Sequence, residues 1–169
     1  MNSTENKKNI HTISFLVTNK PGVLVRIAQV FARRAYNIDS LVVSPSFDQK
    51  YSRMTITAQG DPQTLEQIIK QSSKLIDVMH VSEHTGLDAV DREYTLIKVK
   101  ITSSTKATIL KLCKKFQTHI LDTTDNCLII SQGGKTEELD AFEALMKKYG
   151  ILEMIRSGKL LMAKGKLST

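Results

Sequence analysis

A five-residue corner, Thr18-Asn19-Lys20-Pro21-Gly22, combines residue types that could bind a small ligand. It lies between an apolar, strand-like run and a helical pattern. The first N–H groups of a helix have no partner within the helix and lie at the positive end of its dipole, where an anion is favoured. A glycine at this point lets a ligand approach the backbone, because it has no Cβ. The corner therefore predicts a binding site for an anionic group.

The residues before Gly22 extend this chemistry. Pro21 stiffens the turn and removes one competing N–H group, while the amide of Asn19 offers donors and acceptors. A small zwitterion would fit, with its carboxylate on the N–H groups and either of its charged ends on Asn19. The same residue types also form ordinary strand-to-helix turns, and the pattern alone leaves both interpretations open.

The elements that position the corner follow from hydrophobic periodicity. Apolar residues recur at i, i+3, i+4 and i+7 from Leu24 to Phe31, which predicts a helix directly after the corner. Asp61 can cap a second helix that has Pro62 at its first position. The predicted order is a strand at 10–18, a helix from 23, strands at 38–44 and 51–58, a helix from 62 and a strand at 76–81.

A second set of elements follows a polar joint, EHTGLDAVD, at residues 83–91. We expect a strand at 94–101, a helix capped from 103–105, strands at 119–123 and 127–131, a turn at 133–134, a helix at 136–149 and a last strand at 151–155. Two βαββαβ sets are typical of ferredoxin-like α+β domains. We therefore predict two such domains, at 10–84 and 92–165, and expect the bare face of each sheet to pair with another domain.

Composition and charge exclude several classes of protein. The chain of 169 residues has no run of about 18 apolar residues, so we expect no membrane span. Its first residues, MNSTENKKNIHT, lack the apolar centre of a signal peptide, which predicts a cytoplasmic protein. The net charge of +7 is scattered along the chain, as is typical of a solvated surface or of one complementary to an acidic protein partner.

The sequence shows no pattern typical of a catalytic or metal site. It has no Ser/His/Asp or Cys/His arrangement, and His80 and His84 would lie about 13 Å apart on one face of a strand, too far to share a metal ion. Cys113 and Cys127 form no CxxC pair, and we expect buried, reduced thiols. The sequence thus predicts no catalytic residues and no metal ligands.

RNA binding is the main alternative from another class, because RNA-recognition domains share the βαββαβ order and the chain is basic. Those domains stack bases on aromatic rings of their central strands. The matching strand here has Met54 and Ile56 where rings would be needed. The pattern therefore disfavours nucleic acid as a partner.

Longer stretches of the sequence resemble a known family. The segment TNKPGVLVRIAQVFARRAYNIDSLVV resembles the ACT domain, a ferredoxin-like module that senses small molecules. More narrowly, RAYNIDSLVVSPSFDQKYSRMTITAQGD and the later ELDAFEALMKKYGILEMIRSGKLLMAKG resemble the small, regulatory subunits of acetolactate synthase, also called acetohydroxyacid synthase. The resemblance extends over about residues 10–165, nearly the whole chain.

The resemblance implies a regulator with no catalytic site of its own. Members of this family bind the catalytic large subunit, a transferase, raise its activity and confer feedback inhibition by valine or another branched-chain amino acid. The N-terminal domain would be the effector-binding, dimerising ACT domain. Thiamine diphosphate, magnesium and FAD would belong to the catalytic subunit, and this chain would need no cofactor. An ACT-type amino-acid sensor that acts on another partner is the alternative.

The same resemblance assigns site residues by position. The corner that holds the polar head of the effector would comprise Asn19, Pro21, Gly22 and Val23, with Leu24 against the aliphatic part. Asn37 and Ile38 would reach in from a second copy of the chain.

Two positions depart from the family pattern near this presumed site. Ala35 stands where the family commonly has glycine, at a helix C-terminus that often takes positive φ. Val25 stands where the family favours serine. Both departures bear on sensitivity to valine and leave the expected fold unchanged.

Overall fold

The computed structural model describes residues 10–84, 88–166 and 169 of the chain. The elements within these ranges are, in chain order, β1 (Ile10–Thr18), α1 (Val23–Ala32), β2 (Asn37–Pro45), β3 (Tyr51–Gln59), α2 (Pro62–Ser72), β4 (Val78–His84), β5 (Ala89–Lys100), α3 (Lys106–Lys115), β6 (His119–Thr123), β7 (Cys127–Gly134), α4 (Thr136–Lys147), β8 (Ile151–Arg156) and β9 (Leu160–Ala163). None of the helices in this described part is long and apolar enough to cross a membrane.

The strands form two antiparallel sheets, in the orders β2-β3-β1-β4 and β6-β7-β5-β8. In each sheet the first and third strands of a βαββαβ set lie in the centre, and the second and fourth lie at the edges. This is the ferredoxin-like arrangement, and it confirms the predicted α+β fold with two such sets.

The core of the first set forms where the inward-facing residues of the strands pack against the apolar face of a helix. Ile13 and Phe15 of β1 lie opposite Ile56 and Met54 of β3, and all four are buried. The stripe of α1 that includes Phe31 packs onto the same cluster. Because each buried apolar side chain contributes about 1.5–3 kcal/mol, this interface stabilises the strand–corner–helix unit that carries the candidate site.

The second set has its own cluster of the same kind. Ile97 of β5 pairs with Ile130 of β7, and both are fully buried. Phe142 of α4 packs on them, and its ring lies 5.4 Å from that of Phe116 at the end of α3. Of the two free cysteines, Cys113 is buried in this cluster and Cys127 is half-buried.

The described residues fall into two compact units. One comprises residues up to Asp91 together with those from Lys159 onward, and the other is Arg92–Gly158. Within the first unit the N–H of Lys164 donates to the carbonyl of Asp88 at 2.7 Å. Residues from Lys159 onward therefore group with the first unit, whereas the expected boundaries placed them in the second domain. The domain boundaries at 10–84 and 92–165 stay a prediction.

Three local expectations about secondary structure were wrong. The ends of the polar joint belong to strands, since β4 runs to His84 and β5 begins at Ala89. The glycine pair Gly133-Gly134 is no turn but the end of β7, where it pairs with β5, and a ninth strand, β9, also pairs with β5. These segments are strands because neighbouring strands satisfy their backbone groups, which composition alone does not reveal.

Helix starts were predicted with mixed success. The carboxylate of Asp61 accepts from the N–H of Thr64 at 2.7 Å, which confirms the predicted cap of α2. At α3 the residue before the helix is Thr105, but its hydroxyl accepts from the N–H of Thr102 instead of capping the helix. A local turn therefore takes the hydroxyl that the sequence suggested as a cap.

Candidate functional site

The corner places Gly22 directly before α1, with φ of 82°. This left-handed conformation favours glycine, because a Cβ would be strained there. No side chain caps the helix, and the N–H of Val23 reaches the carbonyl of Lys20 only at 3.5 Å. The start of α1 therefore presents backbone donors at the positive end of its dipole.

Asn19 ties this corner to the turn between β2 and β3. Its backbone N–H donates to the carbonyl of Lys50 at 2.8 Å, and its side-chain Nδ2 donates to the carbonyl of Gln49 at 3.0 Å. One N–H of the Asn19 side-chain amide is engaged in this contact, which leaves Oδ1 and the second N–H of Nδ2 for a ligand. Oδ1 could accept from an ammonium group, and the second N–H could donate to a carboxylate.

A charged cluster beside the corner was missed by the sequence analysis, which assigned no role to Arg26 or Asp77. The Arg26 guanidinium donates to Asp77 at 2.5 Å, and the hydroxyl of Thr18 donates to the same carboxylate at 2.9 Å. The Thr18 hydroxyl foremost, and then Arg26, hold the pKa of Asp77 below its ordinary value. A Cβ added to Gly22 would lie 3.5 Å from the other terminal nitrogen of Arg26, so a positive charge stands next to the open N–H groups. The sequence feature that could have revealed this cluster is the arginine at position 26, one helical turn after Gly22.

The apolar residues of the predicted site divide between core and surface. Val23 is 3% exposed and belongs to the core, so it can offer a ligand little beyond its backbone N–H. Leu24 and Val25 are 41% and 58% exposed on the first turn of α1. Leu24 is therefore placed to contact the aliphatic part of a ligand, and the departure at Val25 lies on the same exposed turn.

Asn37 and Ile38 lie at the other end of the sheet from the corner. Asn37 pairs with Gln59, whereas Thr18, which begins the corner, pairs with Tyr51 at the start of β3. Eight residues of strand separate these levels, a distance of about 26 Å. One chain therefore does not bring the two halves of the predicted site together, and the Asn37 amide donates to Asp39 instead.

Ala35 adopts the conformation expected of the glycine it replaces. Its φ is 51°, and α1 ends in a left-handed cap, where the N–H of Tyr36 donates to the carbonyl of Phe31 at 3.1 Å and that of Ala35 to Ala32 at 3.0 Å. The rings of Tyr36 and Phe31 meet edge to face across this cap. A residue with a Cβ is strained in this conformation. The strained Ala35 lies two residues before Asn37, one of the predicted site residues.

The structure brings three residues into the order of a hydrolytic triad, a feature that the sequence did not reveal. The Ser14 hydroxyl lies 2.8 Å from Nε2 of His84, and Nδ1 of His84 lies 3.1 Å from the carboxylate of Asp88. Ser14 is only 2% exposed in the central strand, so a substrate has no access to its hydroxyl. We interpret the array as a structural link between β1, β4 and the start of the following segment. Within residues 10–84, 88–166 and 169 no group of three His, Cys, Asp or Glu side chains is arranged to hold a metal ion.

Comparison with known proteins identifies both halves of the chain. Residues 13–80 match the family model described as "AHAS small subunit-like ACT domain", and residues 92–165 match the model described as "Small subunit of acetolactate synthase". Together these two matches include most of the chain, in the order expected from the resemblance.

Individual relatives agree with these matches. The chain is 43% identical over 155 residues to a probable acetolactate synthase small subunit of Archaeoglobus fulgidus, which corresponds to 92% of this chain and 97% of the relative. It is 40% identical to a probable small subunit of Methanothermobacter thermautotrophicus, over 95% of this chain and 96% of that one. The crystal structure of the acetolactate synthase small subunit from Thermotoga maritima superposes with a TM-score of 0.84 at 36% identity, over 94% of this chain and 99% of the other.

Proposed function

We propose that this chain, which belongs to the family of acetolactate synthase small subunits, regulates the catalytic subunit of that enzyme. It binds the thiamine-dependent large subunit and raises the rate at which two molecules of pyruvate form acetolactate and carbon dioxide. This is the first common step of branched-chain amino-acid biosynthesis. Valine or a related amino acid, bound between paired ACT domains, lowers the rate again.

The observation that carries the effector part of this proposal is the open start of α1 at Gly22. Uncapped backbone donors and the nearby Arg26 favour a carboxylate, while the Asn19 carbonyl oxygen accepts from an ammonium group. Leu24, exposed on the same turn, suits an aliphatic side chain. An α-amino acid with a branched apolar side chain matches these three features.

The edge strand β2 supports the expectation that a second copy completes the site. Within the described residues β2 pairs only with β3. If two copies pair their β2 edges antiparallel about Leu41, the middle residue of the strand, Asn37 of one copy meets Pro45 of the other. Pro45 pairs with Ser52, which is level with the corner at the end of β1. In such a dimer Asn37 of one copy would lie level with the corner of the other copy, although the two lie about 26 Å apart within one chain.

Regulation then follows from linkage. An effector that contacts both copies favours one arrangement of the dimer, and the catalytic subunit favours another. The coupling is reciprocal, so the catalytic subunit must weaken effector binding by the factor by which the effector weakens the complex.

Acetolactate formation by the matching large subunit tests this function directly. We expect the rate to rise when the chain is added and to fall again across a valine titration. A rise without a response to valine would reject valine as the effector and retain the subunit assignment. No change in rate would reject the regulation of this enzyme and favour an amino-acid sensor with another partner.

The pairing of β2 has its own test. Leu41→Glu would place two carboxylates near the proposed axis, so we expect the variant to sediment as a smaller species than the unchanged chain. Leu121→Glu, on the corresponding edge strand β6 of the second set, is the matched control and should leave the association unchanged. If both variants associate like the unchanged chain, β2 is not the pairing edge.

RNA binding finds no support in the arrangement of β3. Met54 and Ile56 are buried against the helices, and the residues on the opposite face of the strand include Arg53, Thr55 and Thr57. The one ring on this face of β3 is Tyr51, at the first residue of the strand. RNA-recognition domains stack two or three bases on rings of their central strands, so a single ring at the strand end does not match them.

A further inference from the structure

The second unit contains an open cleft of about 510 Å³ between the last turn of α3 and the first turn of α4. Lys115 and Phe116 line one wall, Glu137 and Glu138 line the other, and Gln132 of β7 lies at the floor. The volume lies within the range of small-molecule sites. None of these residues belongs to the corner at Gly22.

One residue that lines the cleft has a buried polar atom without a partner. Gln132 is 5% exposed, and its Oε1 is buried without a hydrogen bond to any other described residue. A buried acceptor that has lost its water and gained no donor is unfavourable, and such groups are uncommon in folded proteins. A ligand that moves the Gln132 side chain far enough to reach this oxygen, and donates to it, would remove this cost.

The first set has a cleft of about 480 Å³ at the corresponding place, between Arg34 and the start of α2, but no residue of β3 lines it. The cleft of the second set reaches its central strand because one side chain is small. In the first set the residue after the left-handed cap of α1 is Tyr36, whose ring would lie 2.2 Å from a Cβ on Gly60 and so fills the space at the end of β3. In the second set α3 ends in the same way at Gln117, with φ of 53°, and the next residue is Thr118. A threonine cannot fill the space that a tyrosine ring occupies.

Strand register widens the same gap. In the first set Asn37, one residue after Tyr36, pairs with Gln59, which directly precedes Gly60. In the second set His119 pairs with Ser131, three residues before Gly134. The pairing of β6 with β7 therefore stops before Gln132, which leaves this end of β7 uncovered by β6.

Charges of opposite sign stand on the two walls. Glu138 accepts from the N–H of Lys135 at 2.8 Å and so holds the start of α4, which leaves Glu137 as the other carboxylate of that wall. On the α3 side the Lys115 ammonium lies 6.0 Å from the centre of the Phe116 ring. The cleft thus combines an anionic wall, a cationic wall, an apolar ring and a buried acceptor.

We propose that this cleft binds a small zwitterion of the α-amino-acid class. The ammonium group donates to Oε1 of Gln132 beside Glu137, the carboxylate faces Lys115, and the side chain lies on Phe116. The site is separate from the corner at Gly22 and does not depend on the proposed regulation of acetolactate synthase.

Nuclear magnetic resonance of the full chain tests this site. A Gly22→Asp background removes binding at the corner, and L-methionine, L-leucine and L-valine serve as probes up to millimolar concentrations. We expect at least one probe to shift the Gln132 side-chain amide and the Gly133 N–H signals in a saturable way. N-acetyl-L-methionine, which lacks the ammonium group, should cause no such shift.

Two variants connect the signal to the cleft. Gln132→Met keeps the volume and removes the unpaired acceptor, so the chain should fold, and the shift at Gly133 should disappear or require at least tenfold more probe. Gln67→Met, on the first turns of α2, is the matched control and should respond like the background. The proposal is overturned if no probe shifts these signals, if N-acetyl-L-methionine shifts them equally, or if Gln132→Met binds unchanged.

Discussion

Arg26 and Asp77 form an ion pair of 2.5 Å between the first turns of α1 and the segment before β4, directly beside Gly22. The Asp77 side chain is 12% exposed and the Arg26 side chain is 46% exposed. Asp77 therefore orients the Arg26 side chain, part of which stays accessible to solvent. This pair places a positive charge beside the open N–H groups of the corner.

Replacing Arg26 should weaken the response to the effector. In Arg26→Met the carboxylate of the ligand loses one positive neighbour, so we expect the valine concentration for half-inhibition to rise about tenfold. Activation of the large subunit should persist. Arg33→Met, an exposed arginine at the other end of the same helix, is the control, and an equal response in both variants would contradict the role of Arg26.

Two substitutions at Gly22 distinguish the effect of a larger side chain from the effect of a negative charge. A Cβ there meets only Arg26, at an ordinary contact distance of 3.5 Å. Gly22→Ala should therefore cost about 1 kcal/mol of stability through its positive φ and retain inhibition by valine. Gly22→Asp adds a carboxylate that competes for Arg26 and the N–H groups, and it should abolish inhibition while activation remains. Normal inhibition of Gly22→Asp would place the effector elsewhere.

The acid dependence of stability should depend on Asp77. Since Thr18 and Arg26 lower its pKa, the contribution of the carboxylate is present above about pH 4, where the unfolded chain is ionised, and is lost as the pH falls through the lower folded value. We expect urea midpoints to fall across this range for the unchanged chain and to fall less for Asp77→Asn. Parallel profiles would show that Asp77 does not contribute.

The two strained helix ends should respond alike to glycine. Ala35 and Gln117 occupy corresponding left-handed positions, with φ of 51° and 53°. Ala35→Gly and Gln117→Gly should each stabilise the chain by about 0.5–1 kcal/mol in urea unfolding, because glycine adopts this conformation without strain. Ala32→Gly, within the last turn of α1, should destabilise by a similar amount. If all three variants are less stable than the unchanged chain, Ala35 and Gln117 are not strained.

Arg156 should be essential to the stability of the second unit. Arg156 donates to Glu93, which is only 6% exposed, and to Asp140 at 2.6 Å. Burial by itself would lower the pKa of Arg156, but the hydrogen bonds to Asp140 and Glu93 outweigh it and raise the pKa. Among the described residues, Arg156→Met would leave the Glu93 carboxylate with the Thr136 hydroxyl alone, at a cost of about 3 kcal/mol in urea unfolding. The double variant Arg156→Met/Glu93→Gln should recover part of that loss. A single variant as stable as the unchanged chain would contradict this account.

Elements with local signals could be predicted from the sequence. The apolar stripe of α1, the alternation of β3 and the cap at Asp61 depend on residues within a few positions of one another, and the structure confirms each of them. The end of β7 at Gly134 could not be predicted, because its backbone is satisfied by Glu93, some forty positions earlier in the chain.

Contacts between distant segments explain most of what was missed at the candidate sites. Arg26 meets Asp77, and Ser14 meets His84, only because β4 lies beside β1. The cleft at Gln132 depends on how far β6 runs along β7 and on the size of Thr118. None of these features has a periodic signature, because each depends on strand register.

The sequence by itself determined the order of the elements, the strained position of Ala35 and, through its resemblance, the family. Periodicity, turn chemistry and motif are all local properties, so they survive without the fold. Only the tertiary structure decided that Asn37 lies at the far end of the sheet from Gly22, that Arg26 is oriented by Asp77 and that Gln132 forms the floor of an open cleft. These relationships arise when strands pair and helices pack, because pairing and packing set the distances between residues far apart in the chain.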